Sequence, residues 1–116
     1  MVGMSSNPER PSHNVAKSLV GHGYEVIPVN PVETEILGRK SYLSLSDIMG
    51  KIDIVDVFRR SDQTDTIIDE AIKIGAGAIW LQEGVINHSG ALRAKSAGMF
   101  VVQDLCSKKE LIKLGY

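Results

Sequence analysis

Residues 52–82 read IDIVDVFRRSDQTDTIIDEAIKIGAGAIWLQ. The stretch opens on IDIVDVF, 52–58, and closes on AIWLQ, 78–82, two short runs of apolar and β-branched residues that predict strands buried on both faces. Between them Ile67, Ile68, Ala71 and Ile72 recur at helical spacing over 62–74, with Ser61 or Asp62 as the expected N-cap and Gly75 as the stop. Two strands joined by a helix of about ten residues predict a parallel βαβ unit, because parallel neighbours need a crossover connection.

The same alternation extends in both directions. YEVIPVN, 24–30, and MFVVQ, 99–103, are further strand candidates, while helical spacing runs over 12–22 and 89–97, with a short turn near 45–50 and a last helix near 107–114. Ser12 is the expected N-cap of the first helix; Val15, Ala16, Leu19 and Val20 form its apolar stripe, and Gly21 and Gly23 end it. Gly98 ends the 89–97 helix. The fold expectation is α/β, a doubly wound parallel sheet in three layers. Met1 and Val2 read as the end of a first strand whose earlier part is absent, so the strand is expected to be truncated. A first strand is commonly central in such sheets. Either another segment fills that slot or the native chain begins upstream.

The 116 residues suit one domain over 1–116, and no repeat, low-complexity tract or linker interrupts them. A formal net charge of -1, with 43% hydrophobic and 23% charged residues, gives no basic field for nucleic acid or a membrane surface. Cys106 is the single cysteine and has no partner for an intramolecular disulfide; with no signal peptide and no apolar run of spanning length, a cytoplasmic setting is expected. His13, His22 and His88 lack partners at metal-ligand spacing, so no metal is expected.

In open α/β sheets ligands bind beyond the carboxyl ends of the strands, where the loop after the first strand lies. Here that loop is Gly3 to Ser12. Gly3 lets backbone approach a pyrophosphate, Ser5 and Ser6 offer hydroxyls, Arg10 adds charge, and the free N–H groups around His13, Asn14 and Val15 favour an anion. The G-x-G-x-x-G and G-K-[ST] spacings are both absent, and a capped polar loop explains the same residues. PVNP places Asn30 between Pro28 and Pro31, where a binder of NAD generally has an acid for the ribose hydroxyl; an amide does not repel a ribose phosphate. VFRR brings Phe58, Arg59 and Arg60 to the neighbouring strand end, where the arginines pair either with phosphate oxygens or with Asp62 or Asp65. Trp80 reads as core, and Gln82 and Asn87 as candidates for the crevice lining.

VGMSSNPERPSHNVAKSL, GYEVIPVNP, DIVDVFRR, EAIKIGAGAIWLQEGVIN and VVQDLC with a following Glu occur in this order along nearly the whole chain. Together they resemble the small stand-alone coenzyme A-binding proteins, which are similar to the N-terminal CoA-binding domain of the succinyl-CoA synthetase alpha subunit and of ADP-forming acyl-CoA synthetases. The resemblance implies a Rossmann-like sheet in the order 3-2-1-4-5 with CoA in its crevice. It implies that Gly3, Ser5, Ser6 and the start of the first helix hold pyrophosphate. Pro28, Asn30 and Pro31 would lie beside the adenosine, with Val57, Phe58, Arg59 and Arg60 along the other wall and Lys40 as a candidate for the ribose 3′-phosphate.

Two departures from the family pattern stand out. Residues expected before Gly3 are missing, and the Asp-Arg-Cys pattern followed by Glu and often His is replaced by Asp104, Leu105, Cys106, Glu110 and Leu111. Cys106 is expected just beyond the fifth strand, at a helix start that lowers a thiol pKa. It is either a buried small residue or a thiol that exchanges with that of CoA.

One domain of this size has no room for a nucleotide-grasp domain and a phosphohistidine loop. His88 has no companion that would mark a phosphoryl carrier, and no Ser-His-Asp set or paired carboxylates support acid-base catalysis. The expectation is a non-catalytic module for CoA or acyl-CoA, with a homodimer expected where the incomplete sheet needs covering. The alternatives are an NAD- or other nucleotide-dependent oxidoreductase, and an interaction protein that has lost its ligand.

Overall fold

The computed structural model describes residues 1–114. The elements run α1 (Pro11–Gly21), β1 (Glu35–Ile36), β2 (Arg39–Lys40), β3 (Ile54–Val57), α2 (Thr64–Lys73), β4 (Ala78–Leu81), α3 (His88–Ser96), β5 (Phe100–Val102) and α4 (Ser107–Lys113). Short 3-10 turns cover Leu45–Asp47 and Ser61–Gln63.

The stretch 52–82 folds as its pattern predicts. β3 pairs in parallel with β4, matching Val57 to Leu81, and β4 pairs in parallel with β5, matching Trp80 to Val102. Helices α2 and α3 pack on each other, as do α1 and α4. One core joins Val55, Val57, Ile79 and Leu81 to Ile68 and Ala71 of α2 and Ala94 of α3; the other joins Met1, Met4 and Val26 to Val15 and Ala16 of α1. Successive strand side chains point to opposite faces, so Val2 enters the first core while Met1 enters the second; Met4 joins Met1 because the positive φ of Gly3 breaks the alternation before it. This is a Rossmann-like, doubly wound α/β fold.

Met1–Gly3 fills the central slot. Val2 bridges Val29 on one side and Val57 on the other, both in parallel. Its N–H donates to Asp56 O at 2.8 Å and its carbonyl accepts from Phe58 N–H at 2.8 Å. On the other side Val29 N–H donates to Met1 O at 2.9 Å, Gly3 N–H donates to Val29 O at 3.0 Å, and the Met1 ammonium donates to Ile27 O at 2.7 Å.

Three expectations are corrected. The 24–30 run does not form a regular strand: only Val29 bridges, and Pro28 before it has no N–H to donate. The order 3-2-1-4-5 does not describe the five runs as the sequence delimits them. The 52–58 run lies directly beside Met1–Val2, and the position outside Val29 belongs to Tyr42, which a β1–β2 hairpin delivers. The hairpin turns at Leu37 and Gly38, both at positive φ, and its two-residue strands are too short to show a pattern. Finally, β5 is not buried on both faces: it ends the sheet, and Phe100 is 81% exposed.

The helix starts also differ in detail. Arg10 is the N-cap of α1 and Ser12 lies inside the helix, because Pro11 fits the first turn, where no N–H partner is needed. Helix α2 begins at Thr64 with Gln63 as N-cap, since Ser61 and Asp62 are taken up in the 3-10 turn; the Thr64 hydroxyl donates back to Ser61 O at 2.7 Å. Trp80 is half-buried, and its indole N–H donates to Leu105 O at 2.7 Å.

Ile68 and Leu81 are fully buried in the α2–α3 core. Replacing either by Ala is expected to cost about 2–5 kcal/mol of unfolding free energy, measured by urea denaturation. Phe100→Ala, at an exposed edge, should change it by less than about 1 kcal/mol.

Candidate functional site

The loop from Gly3 to Arg10 leaves the central strand at its carboxyl end and is held by its own side chains and by those of α1 and Asn30. Gly3 sits at φ +84° against the Phe58 carbonyl, and a Cβ there would collide with that oxygen. Ser5 N–H donates to Ser12 Oγ at 3.1 Å, and its hydroxyl accepts from Asn7 N–H at 3.1 Å. The buried His13 ring bonds Ser5 O through Nδ1 at 2.9 Å; a carbonyl only accepts, so Nδ1 bears the proton. Asn14 donates to Pro8 O at 3.3 Å. Asn30 donates from Nδ2 to Met4 O at 3.0 Å, while its Oδ1 accepts from Val32 and Glu33 N–H groups at 2.8 and 3.0 Å.

These contacts leave a crevice of about 680 Å³ at the carboxyl ends of the strands. Of the residues expected from sequence, Gly3, Ser5, Arg10, Asn30, Phe58, Arg59, Gln82 and Cys106 line it. The others stand elsewhere. His13 and Asn14 brace the loop from behind, Pro28 and Val57 are buried in the interior, and Pro31 is exposed. Lys40 lies over the Tyr42 ring, 5.0 Å from its centroid, and exposed Arg60 pairs with Asp62 at 3.6 Å. Ser6 gives both its N–H and its hydroxyl to Glu33. Asn87 caps α3, accepting from Gly90 N–H at 2.8 Å.

Sequence reading missed Glu83 and Lys109, which also line the crevice. Lys109 Nζ donates to both Glu83 carboxylate oxygens at 3.0 Å, and this bonding raises the ammonium's pKa. The available signal was spacing: Lys109 follows Cys106 by three residues, so at the start of a helix the two share a face.

A buried polar cluster fixes the floor. The Gln82 amide donates to Asp56 Oδ1 and to Ser107 Oγ, the latter at 2.9 Å. Ser107 N–H donates to Gln82 Oε1 at 3.2 Å, and its hydroxyl donates to Asp56 Oδ2 at 3.3 Å. The cluster joins the ends of β3 and β4 to the first residue of α4, and so positions Cys106 and Lys109. Burial pushes the Asp56 pKa above its ordinary 3.8, opposed by the Gln82 hydrogen bond, the Met1 ammonium and Ser107.

Residues 1–112 match the family model described as a CoA binding domain. The chain belongs to this family. This CoA-binding domain is 44% identical over 108 residues to the uncharacterized protein YneT of Bacillus subtilis, a match covering 93% of the chain and 80% of that protein. It superposes on a hypothetical protein from Pyrococcus horikoshii with a TM-score of 0.95, at 41% identity over 99% of this chain and 81% of that one. The dinucleotide forming acetyl-coenzyme A synthetase 1 of Ca. Korarchaeum cryptofilum is a more distant likeness, with TM-score 0.79 and 26% identity over 89% of this chain but 25% of the synthetase. Among the described residues, no helix of the CoA-binding domain is long and apolar enough to cross a membrane.

Gly3→Ala combines a positive φ with the collision at Phe58 O, and is expected to lower stability by about 2 kcal/mol or more, read as a lower urea midpoint. Asp56 makes stability depend on pH. Its folded pKa is raised, so its contribution is fully present below the unfolded value and is lost as pH rises through the folded one. Unfolding free energies of the chain and of Asp56→Asn should therefore diverge from about pH 4 upward, the parent losing stability relative to the variant.

Proposed function

We propose that residues 1–116 act as one non-catalytic module that binds coenzyme A or an acyl-CoA in this crevice. The observation that carries the reading is the convergence of the Gly3–Arg10 loop, Arg59 and Lys109 on one opening in a chain of the CoA-binding family. The volume of about 680 Å³ falls within the range usual for small-molecule sites. In this reading the pyrophosphate lies against Gly3 and Ser5, where backbone comes close, with Arg10 and Arg59 as charge partners. Asn30 and Phe58 border the adenosine, the amide giving no acid to a ribose hydroxyl. Arg60, Lys40 and Pro31 need not touch the ligand.

Cys106 lies at the same opening, half-buried. Its proposed chemistry is exchange with the disulfide form of CoA. The Cys106 thiolate attacks one sulfur of that disulfide, a Cys106–CoA disulfide forms, and the second CoA leaves as a thiolate that takes up a proton. The oxidant is the CoA disulfide itself.

Calorimetric titration under reducing conditions, with NAD as control, tests the binding reading. CoA is expected to bind and NAD not; Asn30→Asp and Arg59→Ala should each weaken CoA about tenfold, the first by repulsion and the second by loss of a charge-assisted bond. Failure of CoA to bind removes the reading. For the exchange, incubation with CoA disulfide should add the mass of one CoA to the chain and none to Cys106→Ser; an unmodified parent chain removes that step.

A further inference from the structure

The resemblance puts Ser6 on the pyrophosphate, yet both of its donors point to a carboxylate of the chain itself. Its N–H donates to Glu33 Oε2 at 3.3 Å, and its hydroxyl donates to Glu33 Oε1. One carboxylate oxygen per donor is the fork in which such a pair holds an anion. Asn30 builds this contact: its Oδ1 fixes the backbone of Glu33, while its Nδ2 bonds Met4 O in the loop and reaches Glu33 Oε2 at 3.5 Å. The amide that lines the crevice therefore sets the loop and the carboxylate together. Among the described residues Glu33 has no ion-pair partner.

We infer that Glu33 is a built-in competitor for the anionic group of the ligand, holding the N–H and hydroxyl of Ser6, next in the loop to the crevice-lining Ser5, which a phosphate seated at Ser5 would otherwise recruit. The inference rests on the crevice being the CoA site and names how affinity there is set. The N–H and the hydroxyl each have a single proton to give, so they serve Glu33 or a phosphate oxygen fully, but not both. A carboxylate left beside an arriving phosphate also repels it. Glu33 thus lowers affinity for any phosphate group at Ser6.

The test follows the Ser6 amide by NMR while inorganic pyrophosphate is titrated into the parent chain, Glu33→Gln and Glu33→Ala, with CoA calorimetry on the same three. Both variants are expected to bind pyrophosphate about threefold tighter or better, with the Ser6 amide moving. The gain should shrink at high salt. Weaker binding by Glu33→Ala that Glu33→Gln restores would make Glu33 a support for the loop and overturn the inference. Equal affinity in all three, or a Ser6 amide that moves in none, overturns it as well. If pyrophosphate shows the gain while CoA binds none of the three, the CoA reading fails and the competition stands. If CoA binds all three equally and pyrophosphate shows no gain, the competition fails and the CoA reading stands.

Discussion

Three residues of backbone, Met1–Gly3, hydrogen-bond to Val29 on one side and to Asp56 and Phe58 on the other. This narrow join connects the 24–30 run and Tyr42 to the β3–β4–β5 sheet. The alternating sides of the strand send Met1 into the α1 core and Val2 into the α2–α3 core, so the same residues hold both layers. Gly3 then turns the chain at positive φ directly above the Phe58 carbonyl. A side chain there would part the loop from the strand it must leave, and the crevice depends on that closeness.

Polar side chains then give the crevice its shape. From behind the loop, His13 and Asn14 bond Ser5 and Pro8 carbonyls, while Asn30 bonds Met4 O across the central strand. Opposite them, the Asp56, Gln82 and Ser107 cluster ties α4 to the sheet. A buried carboxylate is costly unless its oxygens are bonded, and here Gln82 and Ser107 satisfy both. Their geometry decides where Cys106 and Lys109 stand. Several residues that resemble ligand contacts are in this way supports for the backbone, and the surface they leave open has Arg10, Arg59 and Lys109 as its cations.

Carboxylates in and beside the crevice engage the protein's own donors, Glu83 on Lys109 in its lining and Glu33 on Ser6 next to it. Such internal pairing is what a near-neutral chain can do with local positive charge: the formal net charge is -1, yet cations gather at one end of the sheet. In the proposed reading, an anionic ligand would be selected by exchanging an internal carboxylate for an external phosphate, and not by a general basic field.

The sequence by itself determined the alternation of strand and helix, because a repeat of about 3.6 over 62–74 and β-branched runs at 52–58 and 78–82 are local facts of side-chain pattern. It also pointed to the loop that opens the crevice, through Gly3, Ser5 and Arg10, and to part of the wall at Asn30, Phe58 and Arg59. Tertiary structure alone decided what lies next to what. The place of Tyr42 outside Val29, the shortening of the 24–30 strand to one bridge, and the exposure of β5 all depend on partners distant in sequence. So does the division of polar residues into lining and support: His13, Ser6 and Gln82 have the same donors in any conformation, but which acceptor each meets is set by the packing of α1, α4 and the Asn30 turn around the sheet.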